Sequence, residues 1–126
     1  MFFKLPQNTE KIHWTDHVKG KMKQYQLSER RVLRILRKPE RKEEGIAPRT
    51  IAAMQSSGTK KNPTEVWMMY QTIKVKSKDR KFKRVKIISA WRYPGKTPIG
   101  KKPTIPDDIL SELDQIMKIK SGKNEK

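Results

Sequence analysis

The chain has 126 residues, with 31 Lys+Arg against 13 Asp+Glu, a formal net charge of +18. At 33% hydrophobic residues it has material for one small core and not for two, and no apolar run approaches the length of a bilayer crossing. The opening MFFKLPQ is interrupted by Pro6 before a secretory signal takes shape, and zero cysteines remove disulfides, thiolate metal sites and thiol nucleophiles, so the expected setting is the reducing cytoplasm.

In WTDHVKGKMKQY, Thr15 or Asp16 is a helix start signal, and Val18, Met22 and Tyr25 recur at i, i+4, i+7 as one apolar stripe, weakened by Gly20. A second helix opens at Ser28, with Leu27 and Val32 spaced as a hydrophobic staple and Glu29 in the first turn, and it runs toward Pro39. Val32, Ile35 and Leu36 make its inner face. Arg30, Arg34 and Arg37 form an outer cationic row with Arg31 and Lys38 beside them, readable as a solvated face or as one that contacts phosphate.

Beyond the charged break PERKEEG the periodicity turns strand-like. The first strand is expected over GIAPRTIAAMQ, with Pro48 arguing for an edge or a strand start, and it ends in the SSGTKKNP loop. The second, EVWMMYQTIKV, is apolar on both alternations and therefore central, with both faces covered. KSKDRK is the hairpin turn into RVKIISAWRY. Strict alternation there places Val85, Ile87, Ser89, Trp91 and Tyr93 on one face, and Arg84, Lys86, Ile88, Ala90 and Arg92 on an opposite, basic face.

Residues 94–106 are a strap rich in proline and glycine, and Asp107 and Asp108 open a last helix over 107–120. Ile109, Leu113, Ile116 and Met117 line its apolar face, Lys118 and Lys120 occupy its last turn, and Gly122 follows within a disordered tail over 121–126. The fold class predicted is α+β: two N-terminal helices packed on a small antiparallel sheet within residues 1–93, plus the C-terminal helix.

Residues 1–45 hold 12 basic and 6 acidic groups, 46–105 hold 15 and 2, and 106–126 hold 4 and 5. The middle of the chain thus calls for a polyanionic partner, RNA first among them, because each phosphate neutralised releases counterions. The acidic start of the last helix, Asp107, Asp108, Glu112 and Asp114, either folds back over the basic sheet as a mask or simply follows an apolar face onto the core; the stronger apolar stripe favours the second.

Cleavage of RNA by its own 2′-hydroxyl needs a base, an acid and positive charge on the phosphate, and no metal. His13 and His17 are the acid and base candidates, with Lys21 one turn after His17, and Arg92 and Tyr93 at the end of the last strand. Arg49, Arg84 and Lys86 join the arginine row as phosphate ligands. The histidine pair does not read as a metal site: Thr15 puts His13 outside the helix, no glutamate stands in the HExxH position, and Glu43 and Glu44 have Arg41 and Lys42 to pair with. No cofactor is expected, since the chain has no glycine-rich phosphate loop and no hydrolase-like order of Ser, His and Asp. Trp14, Trp67, Trp91, Tyr70 and Tyr93 are candidates for base stacking, but in so leucine-poor a domain Trp67 and Trp91 are expected inside, and only Tyr93 exposed.

IHWTDHVKGKMKQYQLSERRVLRILRKPE, followed by EVWMMY and KIISAWRY, resembles the BrnT branch of the RelE-like toxin superfamily. Trp14 and Asp16 stand for its N-terminal W-x-D segment, QLSERR for the turn into the second helix, Lys38-Pro39 for that helix's end, and Lys86 to Arg92 for its late strand. The likeness spans residues 12–93. It implies a ribonuclease toxin with basic and aromatic side chains at its centre, acting on mRNA with or without the ribosome, and covered by an antitoxin partner. The alternative is a non-catalytic RNA-binding or ribosome-associated basic protein. A third reading, an interaction module for an acidic protein, has least behind it.

Overall fold

Thr15 and Ser28 have extended backbone angles, and their hydroxyls each accept an amide three residues on, Val18 N and Arg31 N, both at 3.1 Å. These caps start α1 (Asp16–Tyr25) and α2 (Glu29–Arg37) where the side-chain types demand. Leu27 and Val32 are both buried, which completes the staple. The computed structural model describes residues 4–117. Its remaining elements are β1 (Ile12–Trp14), β2 (Arg41–Glu44), β3 (Ile51–Gly58), β4 (Pro63–Ser77), β5 (Arg80–Pro94) and α3 (Asp107–Met117). The chain is therefore α+β: two helices, a five-stranded sheet of order β1-β5-β4-β3-β2, and a C-terminal helix, with β1 parallel to β5 and the other pairs antiparallel.

Two apolar layers flank the sheet where the composition promises one core, because alternate residues of the central strands serve opposite faces. Trp14, Val18, Met22, Val32 and Ile35 pack on Ala53, Val66, Met68, Tyr70, Ile87 and Ala90. On the opposite face Ile109 and Leu113 of α3 pack on Ala52, Met54, Trp67, Met69, Ile88 and Trp91. β4 is central and apolar on both sides, as its two alternations require. The strap crosses the second face, anchored by buried Glu65: its Oε1 accepts from Trp67 Nε1 at 2.9 Å and from the Thr97 hydroxyl at 2.8 Å, and its Oε2 accepts from Thr97 N at 3.2 Å.

Other expectations change as well. The stretch from Gly45 to Thr50 is a turn and not the start of a strand, closed by Gly45 N to Thr50 O at 2.9 Å and by the Thr50 hydroxyl to Ala47 O at 2.6 Å, so β3 begins only at Ile51. Residues 41–44 of the charged break form edge strand β2, which has no apolar residue to announce it and whose charges suit an edge. β1, three residues long, is the strand of the N-terminal lead and lies parallel along β5. Finally, β5 does not alternate strictly. Met69 faces Ser89 while Tyr70 faces Ile87, so Ile88 is an extra residue, and this bulge reverses the parity beyond it. Val85 and Ile87 therefore serve the first layer, whereas Ile88, Trp91 and Tyr93 serve the second. Where the helices pack, both faces are covered, so the five-stranded body of the sheet has no bare basic side.

Thr15 ties this bulge to α1: its amide donates to Ile87 O at 3.2 Å, and its hydroxyl reaches Ile88 O at 3.0 Å and Ile87 O at 3.2 Å. The side chains of Ile116 and Met117, together with residues 1–3, Lys118, Lys120, Gly122 and the tail over 121–126, lie outside the described residues. Among the described residues, no helix is long and apolar enough to cross a membrane.

Candidate nucleic-acid interface

The outer row of α2 is where the cations gather. Arg30, Arg34 and Arg37 are exposed, and with Lys4, Lys23 and Lys38 they line an open groove of about 1370 Å3 floored in part by Leu33. Among the described residues Glu29 is its one acid, and none of the six cations is in an ion pair. Behind the row, half-buried Arg31 has its pKa pushed down, by burial first and then by Arg34 and Arg92. Crowded like charge is the electrostatic condition for holding an anion. None of the described side chains of α3 lines this groove.

The five residues expected to act together in catalysis fall in four places. Arg92 donates to the carbonyls at the end of α1, through Nε to Tyr25 O at 2.9 Å and through a terminal nitrogen to Gln26 O at 3.3 Å. Its charge stands on the negative end of the helix dipole, which makes it a C-terminal cap. Tyr93 packs half-buried against the second layer. Arg49 sits at φ 60 in the turn before β3, with β5 and β4 lying between that strand and β1.

His17 and Lys21 share Glu112 as a partner, and both side chains are buried. β1 pairs only with Val85–Ile87, so the edge of β5 beyond it faces α1. There the His17 side chain, 3% exposed, meets Ser89 and Glu112. A carboxylate only accepts, so Nδ1–H donates to Glu112 Oε1 at 3.2 Å, and Nε2 accepts the Ser89 hydroxyl at 2.9 Å. Burial lowers the His17 pKa against the opposing pull of Glu112, with Lys21 adding to the fall, so the ring is neutral at pH 7. One turn on, Lys21 Nζ donates to Asp108 Oδ2 at 2.8 Å, Glu112 Oε2 at 3.0 Å and Gln24 Oε1 at 3.0 Å. Burial opposes its charge, but the two acids outweigh this and raise its pKa; in return Lys21 holds Asp108 below the usual carboxylate range.

Ser89, His17 and Glu112 have the connectivity of a nucleophilic triad. Ser89 is 0% exposed, so its hydroxyl meets no substrate in this conformation, and the chain of hydrogen bonds fastens α3 to β5 and α1. The acids of α3 thus satisfy two buried basic groups while its apolar stripe packs on the sheet.

His13 stands apart, opposite Lys86 in the β1–β5 register. Burial first, then Arg84, Lys86 and Lys19, lowers its pKa and leaves a neutral imidazole among three cations. This is the one place where a candidate base and candidate phosphate ligands come together. Arg84 lies one register step outside β1's pairing, opposite Ile73. Trp14, Trp67, Trp91 and Tyr70 are all core, which leaves no row of exposed aromatics for stacking bases among the described residues.

Sequence reasoning finds the arginine row from spacing alone, and it misses Lys4 and Lys23, which the fold brings to it from the lead and from α1. It also misses Ser89 as a partner of His17, which the bulge at Ile88 turns into place. No group of three or more His, Cys, Asp or Glu among the described residues is arranged to hold a metal ion. Comparison of the chain with protein-family models, curated proteins and solved structures gives no match.

Proposed function

We propose that this is an RNA-binding protein of the cytoplasm that grips the sugar-phosphate backbone in the groove along α2. The observation that carries the reading is the row Arg30, Arg34 and Arg37, exposed and without carboxylate partners among the described residues, in a groove with three further cations. Arginine's planar fork suits phosphate, and the contacts are to backbone, so the binding is tolerant of sequence. RNA is the polyanion that the resemblance of residues 12–93 to RelE-like toxins brings with it. The helix-helix-sheet layout agrees with that resemblance, although a layout by itself names no activity. An antitoxin, in this reading, is an acidic chain that competes for the same groove.

A metal-independent endoribonuclease is the second reading, and the neutral His13 beside Arg84 and Lys86 favours it over a centre on His17. One assay separates the two. A labelled transcript is incubated with the protein in EDTA, with and without ribosomes. Retention without cuts, reduced at least tenfold in Arg30→Gln/Arg34→Gln/Arg37→Gln, supports binding alone. Discrete cuts that disappear in His13→Ala support the nuclease. Affinity unchanged in the triple variant contradicts the groove.

A further inference from the structure

β4 and β5 outrun the rest of the sheet. β3 pairs with β4 only as far as Tyr70, and β1 pairs with β5 only from Val85, so Thr72–Ser77 and Arg80–Arg84 hydrogen-bond as strands to each other alone. A two-stranded ribbon is marginal in water, and this one carries a further cost. Lys74 is directly opposite Lys83 and Lys76 directly opposite Lys81. Side chains at i and i+2 share a face, so the four lysines project from one side of the ribbon, their Cβ atoms in two rows about 5 Å apart with roughly 7 Å between neighbours along each row.

Like charges placed opposite one another destabilise a strand pair. None of these four lysines is in an ion pair among the described residues. The reverse face carries Ile73, Val75 and Phe82, with the Arg80 guanidinium 4.7 Å from the Phe82 ring centroid and 2.7 Å from Glu10. The ribbon is therefore held from behind, while its lysine face is left repelling itself.

We infer that this lysine face is a second phosphate-binding site, and that its ligand is the sugar-phosphate backbone of RNA. It deepens the proposed function and rests on it: the same strand held in the α2 groove gains a second grip. Phosphate oxygens accept from all four ammonium groups at once and remove the cross-strand repulsion, so binding and ordering of the ribbon reinforce each other. Compact ammonium groups with no exposed aromatic among them hold backbone and do not read bases.

The test uses the full chain with Lys74→Thr/Lys76→Thr/Lys81→Thr/Lys83→Thr, threonine being a strand former. A control, Lys60→Thr/Lys61→Thr/Lys101→Thr/Lys102→Thr, removes the same charge from exposed positions elsewhere. Fluorescence anisotropy with a labelled single-stranded RNA is followed across KCl concentrations. The ribbon variant is expected to bind at least tenfold more weakly at 0.1 M KCl. Its slope of log K against log salt flattens by about 0.7 for each phosphate released, while the control stays within threefold of the parent. Its thermal midpoint is expected to hold or rise, since repulsion is removed; if it falls, the Lys→Arg quadruple variant replaces it and must bind like the parent. Parent-like affinity and slope in the ribbon variant, or an equal loss in the control, overturns the inference. If the ribbon variant binds normally while Arg30→Gln/Arg34→Gln/Arg37→Gln does not, this site falls and the proposed function stands; if the parent binds no RNA, both fall.

Discussion

Lys21 Nζ on α1 lies 2.8 Å from Asp108 Oδ2 on α3, two residues that are 87 positions apart in sequence. This contact, with Glu112 beside it, joins the first helix layer to the helix on the opposite face of the sheet around the edge of β5.

Lys21→Met tests the joint. The lysine side chain is 6% exposed, but Asp108 and Glu112 keep 39% and 49%, so the stranded acids recover water. The expected loss is about 1–2 kcal/mol by urea unfolding, below the 3–5 kcal/mol of a wholly buried pair. RNA affinity stays within twofold, because the ammonium is already committed to protein acids. A tenfold loss of RNA binding with unchanged stability would place Lys21 on the ligand instead.

The pH dependence of stability has a sign at each end. His17 and Asp108 titrate lower in the folded chain than unfolded. The unfolded chain thus takes up protons first, and stability falls as the pH drops below about 6.5 for the histidine and again below about 3.9 for the aspartate. Lys21 titrates higher when folded, so its contribution is complete below about 10.4 and is lost as pH rises through its folded value. Urea midpoints across pH should show a plateau between neutral and mildly alkaline values. Glu112→Gln removes a group that raises the His17 pKa and should lower it further, as read by imidazole proton shifts.

Thr15 both caps α1 and holds the bulge carbonyls. Thr15→Ala should cost about 1–2 kcal/mol, and Thr15→Ser should restore most of it, because the hydroxyl and not the methyl group makes these bonds. Equal losses in both variants would mean that packing of the methyl dominates.

Gly20 is exposed within α1, and a Cβ built there meets nothing within 4 Å. Gly20→Ala should therefore stabilise by about 0.5–1 kcal/mol through the cost that glycine's backbone freedom imposes on a helix. A lower thermal midpoint would show that the position serves something other than the helix.

What the sequence discloses and what it hides divide along locality. Thr15 and Ser28 announce their helices because a cap acts within three residues. The β4–β5 hairpin is legible from KSKDRK between two apolar runs. β1 and β2 are not legible: IHW is too short to show a period, and RKEE has no apolar residue, so each is a strand only because a neighbouring edge offers it hydrogen bonds. The bulge at Ile88 is hidden for the same reason, and it carries Trp91 to the face opposite Ile87. At the candidate site, the Arg30, Arg34 and Arg37 row is visible as helical spacing. The burial of Lys21 and His17 depends on acids from the far end of the chain, which no local pattern reveals.

The central claim is that RNA phosphate is held by a defined cationic surface. A titration of isotopically labelled protein with a short single-stranded RNA, followed by backbone amide shifts, tests it most directly. The largest shifts are expected on Ser28–Lys38, with a second group over residues 74–83. Shifts spread evenly over the basic surface, or confined to segments outside both, would contradict it.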